Sequence, residues 1–423
     1  MKKYDIIIIG SGPVGLSLAK ALSNSDFSVC VIDRQTKENL SEPSYDGREV
    51  AITHFSKRIL SDIGSWDLID QECISQLKEA KVLNGQSPYS LHFNFEETNQ
   101  TTLGYLIPNH RIKSAIFSSV INDPMISFEE KATSKSFSIN TDGVEVELES
   151  GDIISGELLV AADGRLSGSR RQMGIPAEVK DFGKTVIVCK MNHEKDHENI
   201  AYECFHYGRT LAVLPMVGKQ CSVVITIHSD KAKEILHQDD NAFSQDISER
   251  FNHRLGKMSV ASEKFSYPLF ASHADHFHAE RFVLVGDASV GMHPVTAHGF
   301  NLGLRGIDTL TRILTEAKAK NEAFYSLENL KKYNQTHQMN TRTLYYGTNL
   351  IVDLFNSERS AAKFMRRFAL RLGNNVWPIK KMIMDQLTET KLLILRICHL
   401  QKILFHRALS CLLGTQMMAF KCS

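Results

Sequence analysis

The first 33 residues hold the feature that most restricts how this chain can fold. A short apolar run, a G-x-G-x-x-G turn, a stretch of helical periodicity and a second apolar run occupy residues 4–9, 10–15, 16–22 and 27–32. In such a unit Gly10 allows a tight turn, Gly12 lets a pyrophosphate approach the backbone, and Gly15 lets the helix pack on the strand. The pattern therefore predicts an α/β fold in which a parallel sheet carries a dinucleotide site.

The residues that follow the second predicted strand bear on the ligand. Asp33 stands 23 positions after Gly10 (33 − 10), where a carboxylate accepts hydrogen bonds from an adenosine ribose. Arg34 either reaches the adenine or a phosphate, or is a solvated arginine at the end of a strand. The helix that starts near Val14 supplies backbone N–H groups and a dipole that favour phosphate.

Two later segments each end a predicted buried strand in an acidic turn. Residues 157–162 lead into Asp163 within the pattern A-D-G-x-x-S-x-x-R. Residues 282–285 lead into Asp287, then through a His-Pro loop into a predicted helix at Gly299. Because the carboxyl ends of parallel strands meet at one edge of an open sheet, we expect both turns to complete the site that the glycine turn begins.

Composition narrows the class of protein. The 423 residues suffice for two or three domains, and a net charge of +1 with 23% charged residues gives no overall attraction to nucleic acid. Eight scattered cysteines without C-x-x-C spacing argue against structural zinc and a disulfide framework, and favour a reducing compartment. The histidines of the H-x-x-H-x-H run at 273–278 favour a polar surface loop over a metal site.

Taken in order, these motifs resemble those of the FAD-dependent aromatic-ring hydroxylases, and specifically the ubiquinone-biosynthesis branch. The segments 47–52 and 104–116 are also similar to that branch, and the resemblance covers roughly residues 4–390. It implies an α/β fold with a Rossmann-like FAD-binding domain of the glutathione-reductase type, similar to p-hydroxybenzoate hydroxylase, with an interleaved β-sheet substrate domain and C-terminal helices.

The resemblance also implies boundaries for these parts. The FAD-binding domain would be discontinuous, and the substrate domain would be inserted into it. The implied FAD-binding domain comprises residues 1–75, 100–182 and 269–330. The implied substrate domain comprises 76–99 and 183–268, and the C-terminal helical region with its basic amphipathic tail comprises 331–423.

Roles for individual residues follow from the same resemblance. The three glycines would hold the FAD pyrophosphate, Asp33 the adenosine ribose, Asp163 the pyrophosphate loop and Asp287 the ribitol chain. Arg48 would reach the FAD phosphates or the flavin edge, or would be a surface helix-cap arginine. The complete set implied for the cofactor is Gly10, Gly12, Val14, Gly15, Asp33, Arg34, Arg48, Arg111, Asp163, Asp287, Pro294, Ala297, Gly299, Phe300 and Asn301.

Ala297-His298 departs from the family loop, which usually has Gly-Gln at these positions. His298 either assists proton transfer to or from the flavin or the substrate phenol, or substitutes as a neutral donor for the glutamine amide. His298 and His293 are therefore the candidate catalytic residues.

The implied activity is hydroxylation of the aromatic ring of a polyprenylated ubiquinone precursor with O2, through a flavin hydroperoxide. NAD(P)H or another external donor would supply the electrons. A related flavoprotein, such as a halogenase or a prenyl reductase, is the closest alternative, although Trp66 and Trp377 stand alone and form no W-x-W-x-I-P motif. A catalytically quiet FAD-binding scaffold subunit of a quinone-biosynthesis complex is a second alternative.

The C-terminal region is basic. Residues 357–423 contain twelve Lys/Arg and three Asp/Glu, a surplus of nine positive charges (12 − 3). Over 391–413 basic residues form one stripe on an otherwise apolar predicted helix, which fits either an anionic membrane surface or docking on the protein's own core or a sister subunit. We expect a cytoplasmic protein, with peripheral contact at the inner face of the cytoplasmic membrane as a further hypothesis.

Overall fold

Two large β-sheets and one small sheet form the framework of the computed structural model, which describes residues 3–85, 89–206, 208–293, 299–356, 371 and 374–388. In chain order the strands are β1 Lys3–Ile9, β2 Val29–Ile32, β3 Glu49–Ile52, β4 Ser75–Leu77, β5 Glu79–Asn84, β6 Ser90–Asn94, β7 Gly104–Pro108, β8 Ile126–Glu129, β9 Ser134–Asn140, β10 Gly143–Leu148, β11 Ile153–Ala161, β12 Ala177–His193, β13 Ile200–His206, β14 Arg209–Pro215, β15 Gln220–His228, β16 Met258–Val260, β17 Phe265–Ala274, β18 His278–Ala279, β19 Phe282–Leu284 and β20 Val290–Gly291. The helices are α1 Pro13–Ser23, α2 Lys37–Ser41, α3 His54–Asp62, α4 Asn109–Val120, α5 Gly168–Gln172, α6 Ser229–Leu236, α7 Asp240–Arg250, α8 Gly299–Ala319, α9 Leu327–Asn356 and α10 Trp377–Thr388.

The first sheet has the order β18-β19-β11-β1-β2-β8, and the four pairs from β19 to β8 are parallel. Its central strand β1 is flanked on both edges, and Ile6, Ile7 and Ile8 have no solvent exposure. A parallel strand covered on both faces needs a continuous apolar run of this kind. The strands predicted near residues 4–9, 27–32, 157–162 and 282–285 all lie in this sheet, so the glycine turn and the three acidic turns leave it at the same edge.

The second sheet is mixed and has the order β20-β17-β12-β15-β14-β13-β5-β6, with β16 paired to β12. One face buries a core that includes Ile187, Val223 and Ile225 against α6 and α7, through residues such as Ile235 and Phe243. The opposite face carries a separate apolar cluster. Residues 79–94 pair into this sheet, and so do β20 and the ends of β12 and β17; the domain boundaries given above stay a prediction.

The small third sheet has the order β3-β7-β4, and its strand β3 contacts both halves of the molecule. Asn301 of α8 donates to the Ala51 carbonyl oxygen, and Lys190 of β12 lies 3.8 Å from Glu49.

Contacts from the loop before β3 reach β17, because the Tyr267 hydroxyl donates to the Asp46 carbonyl oxygen at 2.5 Å. The Gly47 backbone lies against the Phe265 ring, where a Cβ would come within 2.5 Å. This loop therefore connects the two halves of the structure.

The prediction that the H-x-x-H-x-H run forms a surface loop is wrong for its first histidine, His273. His273 lies within β17, is 4% exposed, and packs against Phe277 and Tyr345. Its strand is covered by α9, which lies too far along the chain for the local sequence to reveal the contact. Within the described residues, no group of three or more His, Cys, Asp or Glu side chains is placed to bind a metal.

Candidate cofactor and substrate site

Two of the three glycines in the N-terminal turn are required by the packing of the chain itself. Gly10 has φ +110°, and a Cβ there would lie 2.5 Å from the Ala162 carbonyl oxygen. A Cβ on Gly15 would overlap the Gly10 carbonyl oxygen, because α1 starts directly against the turn. Gly12 differs, since it precedes α1 with ordinary φ −62° and a Cβ on it would meet no atom within 4 Å. The space at Gly12 is therefore open to a ligand.

Val14 brings the first and third motifs together. A Cβ on Gly303 of α8 would lie 2.6 Å from Val14 Cγ2, and a Cβ on Gly286 would lie 3.1 Å from Val14 Cγ1. The start of α1 thus packs directly on the turn after β19 and on the first turns of α8. The glycines at 286 and 303 permit an approach that no larger residue would allow.

The three predicted carboxylates all accept hydrogen bonds within the protein. Asp33 accepts from the Ser11 N–H at 2.6 Å and from the Gln35 N–H at 2.9 Å. Asp163 Oδ2 accepts from the Ser169 N–H at 3.0 Å, while its Oδ1 is buried and has no hydrogen-bond partner among the described residues. Each carboxylate is thereby held in one orientation at the edge of the first sheet.

Asp287, the third of these carboxylates, pairs with Arg165 at 3.0 Å. The same guanidinium donates to the Phe270 carbonyl oxygen at 2.6 Å and packs against Gly291, so it connects the second motif, the third motif and β17. Sequence reasoning missed Arg165, because it occupies a variable position of A-D-G-x-x-S-x-x-R. Only its charge, next to an acidic turn, was available as a signal.

Asn301 has a structural role at the start of α8. Its amide donates to the Ala51 carbonyl oxygen at 2.7 Å, and its Oδ1 accepts from the Thr53 N–H at 3.2 Å. These bonds attach the helix to the end of β3, while the half-buried Phe300 packs against the first core. Gly299 leaves open space, since a Cβ there would meet no atom within 4 Å.

The predicted arginines lie in different surroundings. Arg34 and Arg111 are exposed. Arg48 pairs with Asp46 at 2.5 Å, and its guanidinium lies 5.2 Å from the centre of the Tyr267 ring. Arg48 is exposed and precedes a strand, so the alternative interpretation holds for a surface arginine but not for a helix cap, and its role toward FAD stays a prediction.

His293 is buried where β20 leaves the second sheet. Its ring packs edge-on against Phe182, with 4.9 Å between ring centres. Burial, followed by the positive charges of Lys184 and Arg165, lowers the pKa of His293 to about 4. The imidazole is therefore neutral near pH 7. Pro294, Ala297 and His298 lie outside the described residues.

The residues at the glycine turn fit a bound FAD. The site offers open space at Gly12 and the uncapped start of an 11-residue helix. It also holds two buried oxygens, Asp163 Oδ1 and Ser11 Oγ, that have no hydrogen-bond partner in the part of the chain that the structure describes. Buried polar atoms without partners are uncommon in folded proteins, and a helix N-terminus favours phosphate. Pyrophosphate and hydroxyl groups of a dinucleotide would satisfy both features.

A family model described as an FAD binding domain matches residues 3–338. The chain belongs to this family. It is 41% identical over 388 residues to ubiquinone hydroxylase UbiM of Neisseria meningitidis, an alignment that covers 91% of this chain and 84% of that one. It is 32% identical over 383 residues to ubiquinone hydroxylase UbiL of Rhodospirillum rubrum, covering 90% and 89%.

The solved structures support the same fold. The p-nitrophenol 4-monooxygenase PnpA of Pseudomonas putida matches with a TM-score of 0.73 at 15% identity, over 93% of this chain and 100% of that one. The predicted fold class and the predicted family of FAD-dependent hydroxylases are confirmed. The protein is an FAD-dependent monooxygenase related to the ubiquinone hydroxylases.

Proposed function

We propose that this protein hydroxylates the aromatic ring of a polyprenylated ubiquinone precursor, using FAD, O2 and electrons from NAD(P)H or another external donor. The observation that carries the proposal is the packing of Val14 on Gly286 and Gly303, which brings the glycine turn against the third motif and supports a dinucleotide site there. The names of the related ubiquinone hydroxylases support the choice of substrate.

The residues around the glycine turn would hold the cofactor. The N–H groups at the start of α1 and the open backbone of Gly12 would bind the pyrophosphate, and Asp33 would accept from the adenosine ribose. Asp287 would accept from the ribitol chain, and the N-terminus of α8 would stabilise negative charge on the reduced ring. When bound, FAD supplies the activation of O2 for oxygen transfer to an electron-rich ring.

The protein's own contribution to this chemistry is positioning and the exclusion of water. The apolar face of the second sheet, with Val186, Val188 and Leu269 buried in one cluster, suits an apolar ring with a prenyl chain. His293 stays neutral near pH 7, which favours a role in packing or hydrogen bonding over one as a general acid.

Oxygen consumption tests the proposed activity. The FAD-loaded protein with NAD(P)H should consume O2 faster when a prenylated phenol is added, and mass spectrometry should show one added oxygen atom in the product. A halogenase would need halide for turnover, and a scaffold subunit would show no dependence of oxygen uptake on the phenol. Either result would contradict the proposal.

We also propose contact with a membrane surface through the C-terminal region. On α10, Trp377 is 64% exposed with the Lys381 ammonium 4.6 Å from its ring, while Met384 is buried and Lys380 pairs with Glu97 at 2.7 Å. One side of α10 thus docks on the protein and the other presents an aromatic and a cation to solvent, as interfacial helices do. The basic stretch at 391–413 lies outside the described residues.

Deletion of residues 391–423 tests this contact. The full chain should sediment with vesicles that contain anionic lipid, and the truncated chain should remain in the supernatant. Unchanged sedimentation after the deletion would contradict the proposal. Among the described residues, no helix combines the length and the apolar character needed to cross a bilayer.

A further inference from the structure

The face of the second sheet that lies opposite α6 and α7 carries one carboxyl group in an otherwise apolar row. The strand registers place Val188, Val224, Ala212, Glu203 and Val82 side by side on β12, β15, β14, β13 and β5. Side chains alternate between the faces of a strand, and the neighbours Cys204 of β13 and Leu83 of β5 belong to the core under α6 and α7. Glu203 therefore belongs to the opposite face.

This face is turned toward the cofactor-binding half of the molecule. At the β17 edge, Tyr267 shares it with Val186 and receives the Arg48 guanidinium over its ring. At the β6 edge, Phe93 and Phe205 pack with Met384 of α10. Glu203 lies between these two covered regions and is itself only partly exposed.

The Glu203 carboxyl makes no hydrogen bond or salt bridge to another described residue. Burial raises the pKa of this carboxyl to about 8, so near pH 7 it is mostly protonated and can both donate and accept a hydrogen bond. No charged side chain among the described residues contributes to the shift or stabilises the anion.

Asn84 is a second polar group without a partner on the same face. It is 7% exposed, and its Oδ1 is buried with no hydrogen-bond partner among the described residues. The register pairs Asn84 with Phe205, two residues after Glu203 on β13, so the carboxyl and the amide are diagonal neighbours. Two adjacent unsatisfied polar groups within an apolar surface indicate a ligand that is apolar apart from one polar end.

We propose that Glu203, assisted by Asn84, binds a ring hydroxyl of the substrate and thereby selects the ring carbon that is hydroxylated. This proposal rests on the proposed function and names the substrate contact of that site. The phenol or quinol hydroxyl would accept a hydrogen bond from the protonated Glu203 carboxyl. It would donate its own hydrogen to a side-chain oxygen of Glu203 or Asn84. Because a ring hydroxyl enriches the carbons ortho and para to it in electrons, fixing its position fixes which of those carbons faces the flavin.

Binding of two matched ligands tests this assignment. A prenylated phenol and its O-methyl ether, which cannot donate, are titrated into the FAD-loaded protein while the flavin absorbance is followed. The wild type should bind the phenol about tenfold more tightly than the ether, the expected value for one buried hydrogen bond. In Glu203→Leu the preference for the phenol should disappear, because phenol binding should weaken at least about tenfold and ether binding, which loses only the bond it accepts, should weaken less.

Two further variants make the result specific. Glu203→Gln keeps a donor and an acceptor and should retain most of the preference. Glu234→Leu removes an exposed carboxylate from α6, on the other side of the same sheet, and should match the wild type. Normal FAD content in Glu203→Leu shows that the fold is intact, and a broader mixture of hydroxylated isomers in that variant would support the role in selection.

The outcomes separate this proposal from the proposed function. If the wild type binds and hydroxylates the phenol while Glu203→Leu prefers it as strongly as the wild type does, the assignment of Glu203 is wrong and the function stands. If the wild type binds neither ligand and shows no oxygen uptake with any prenylated phenol, both are wrong.

Discussion

The acidic side chains of the two large sheets differ in whether the protein itself supplies their hydrogen-bond partners. At the edge of the first sheet Asp33 and Asp163 accept backbone hydrogen bonds and Asp287 pairs with Arg165. On the face of the second sheet opposite α6 and α7, Glu203 has no partner among the described residues, and its neighbours on the adjacent strands are apolar. The first arrangement orients carboxylates before a ligand arrives. The second leaves a polar group that only a ligand satisfies.

The two sites therefore differ in the free energy of their carboxyl groups before a ligand binds. A carboxylate already held by N–H groups can accept further hydrogen bonds without losing much orientational freedom. A partly buried carboxyl without a partner destabilises the protein until a ligand supplies one. Changes at the cofactor site should therefore weaken FAD binding or lower the stability of the fold. Removing the Glu203 carboxyl should raise the stability of the fold and weaken substrate binding.

The largest expected effect separates Gly12 from Gly15 within the first site. Gly12→Ala should weaken FAD binding at least ~100-fold, about 2.7 kcal/mol, because its methyl group occupies the space left for the pyrophosphate. The FAD-free protein should melt within a few degrees of the wild type, since that Cβ meets no protein atom. Gly15→Ala should also lower the melting temperature, because its Cβ overlaps the Gly10 carbonyl oxygen. Equal melting temperatures in the two variants would contradict this distinction.

The second prediction concerns how the buried His293, at the junction of the third motif and the second sheet, makes stability depend on pH. The native pKa of about 4 lies below the ordinary value of 6.5, so the unfolded chain binds more protons between these values. Stability should be lost as the pH falls from 6.5 toward 4, by about 2–3 kcal/mol from this group. Urea unfolding across this range should show a shallower loss in His293→Gln. A variant that loses as much stability as the wild type would show that His293 is not the buried neutral group.

Glu203 should behave in the opposite sense. Its native pKa of about 8 lies above the ordinary value of 4.5, so the native state keeps a proton that the unfolded chain releases. Stability from this group is therefore lost as the pH rises from 4.5 to about 8. Glu203→Leu should be more stable than the wild type by about 2 kcal/mol at pH 7, with a gain that vanishes near pH 4. Denaturant melts at the two pH values, with Glu234→Leu as the unchanged control, measure this difference.

The smallest expected effect is at Val14. Val14→Ala should lower the free energy of unfolding by about 1 kcal/mol, since two partly buried methyl groups are lost between Gly286 and Gly303. FAD binding should weaken severalfold, because the start of α1 is less firmly held against α8. Val50→Ala, a half-buried valine of the third sheet, is the matched control and should leave FAD affinity unchanged. Equal losses of FAD affinity in both variants would contradict a special role for Val14.

The glycine turn could be predicted in detail because its pattern records local steric requirements. Gly10 and Gly15 are demanded by contacts within a few residues or with the neighbouring strand, and apolar runs of strand length reveal buried parallel strands directly. The family, the cofactor and the carboxylates Asp33, Asp163 and Asp287 were therefore accessible from the sequence. The roles of these residues toward FAD stay predictions.

Other features were decided only by the tertiary structure. The Arg165–Asp287 pair joins residues 122 positions apart, and β13 reads I-A-Y-E-C-F-H, which has no clean alternation to show which face holds Glu203. His273 is buried by a helix more than 50 residues further along the chain. The glycine turn and its flanking strands were readable from the sequence alone, because backbone turns depend on nearby residues. The proposed substrate face came into view only with the three-dimensional structure, because strand register and the packing of distant helices set which polar groups stay unpaired.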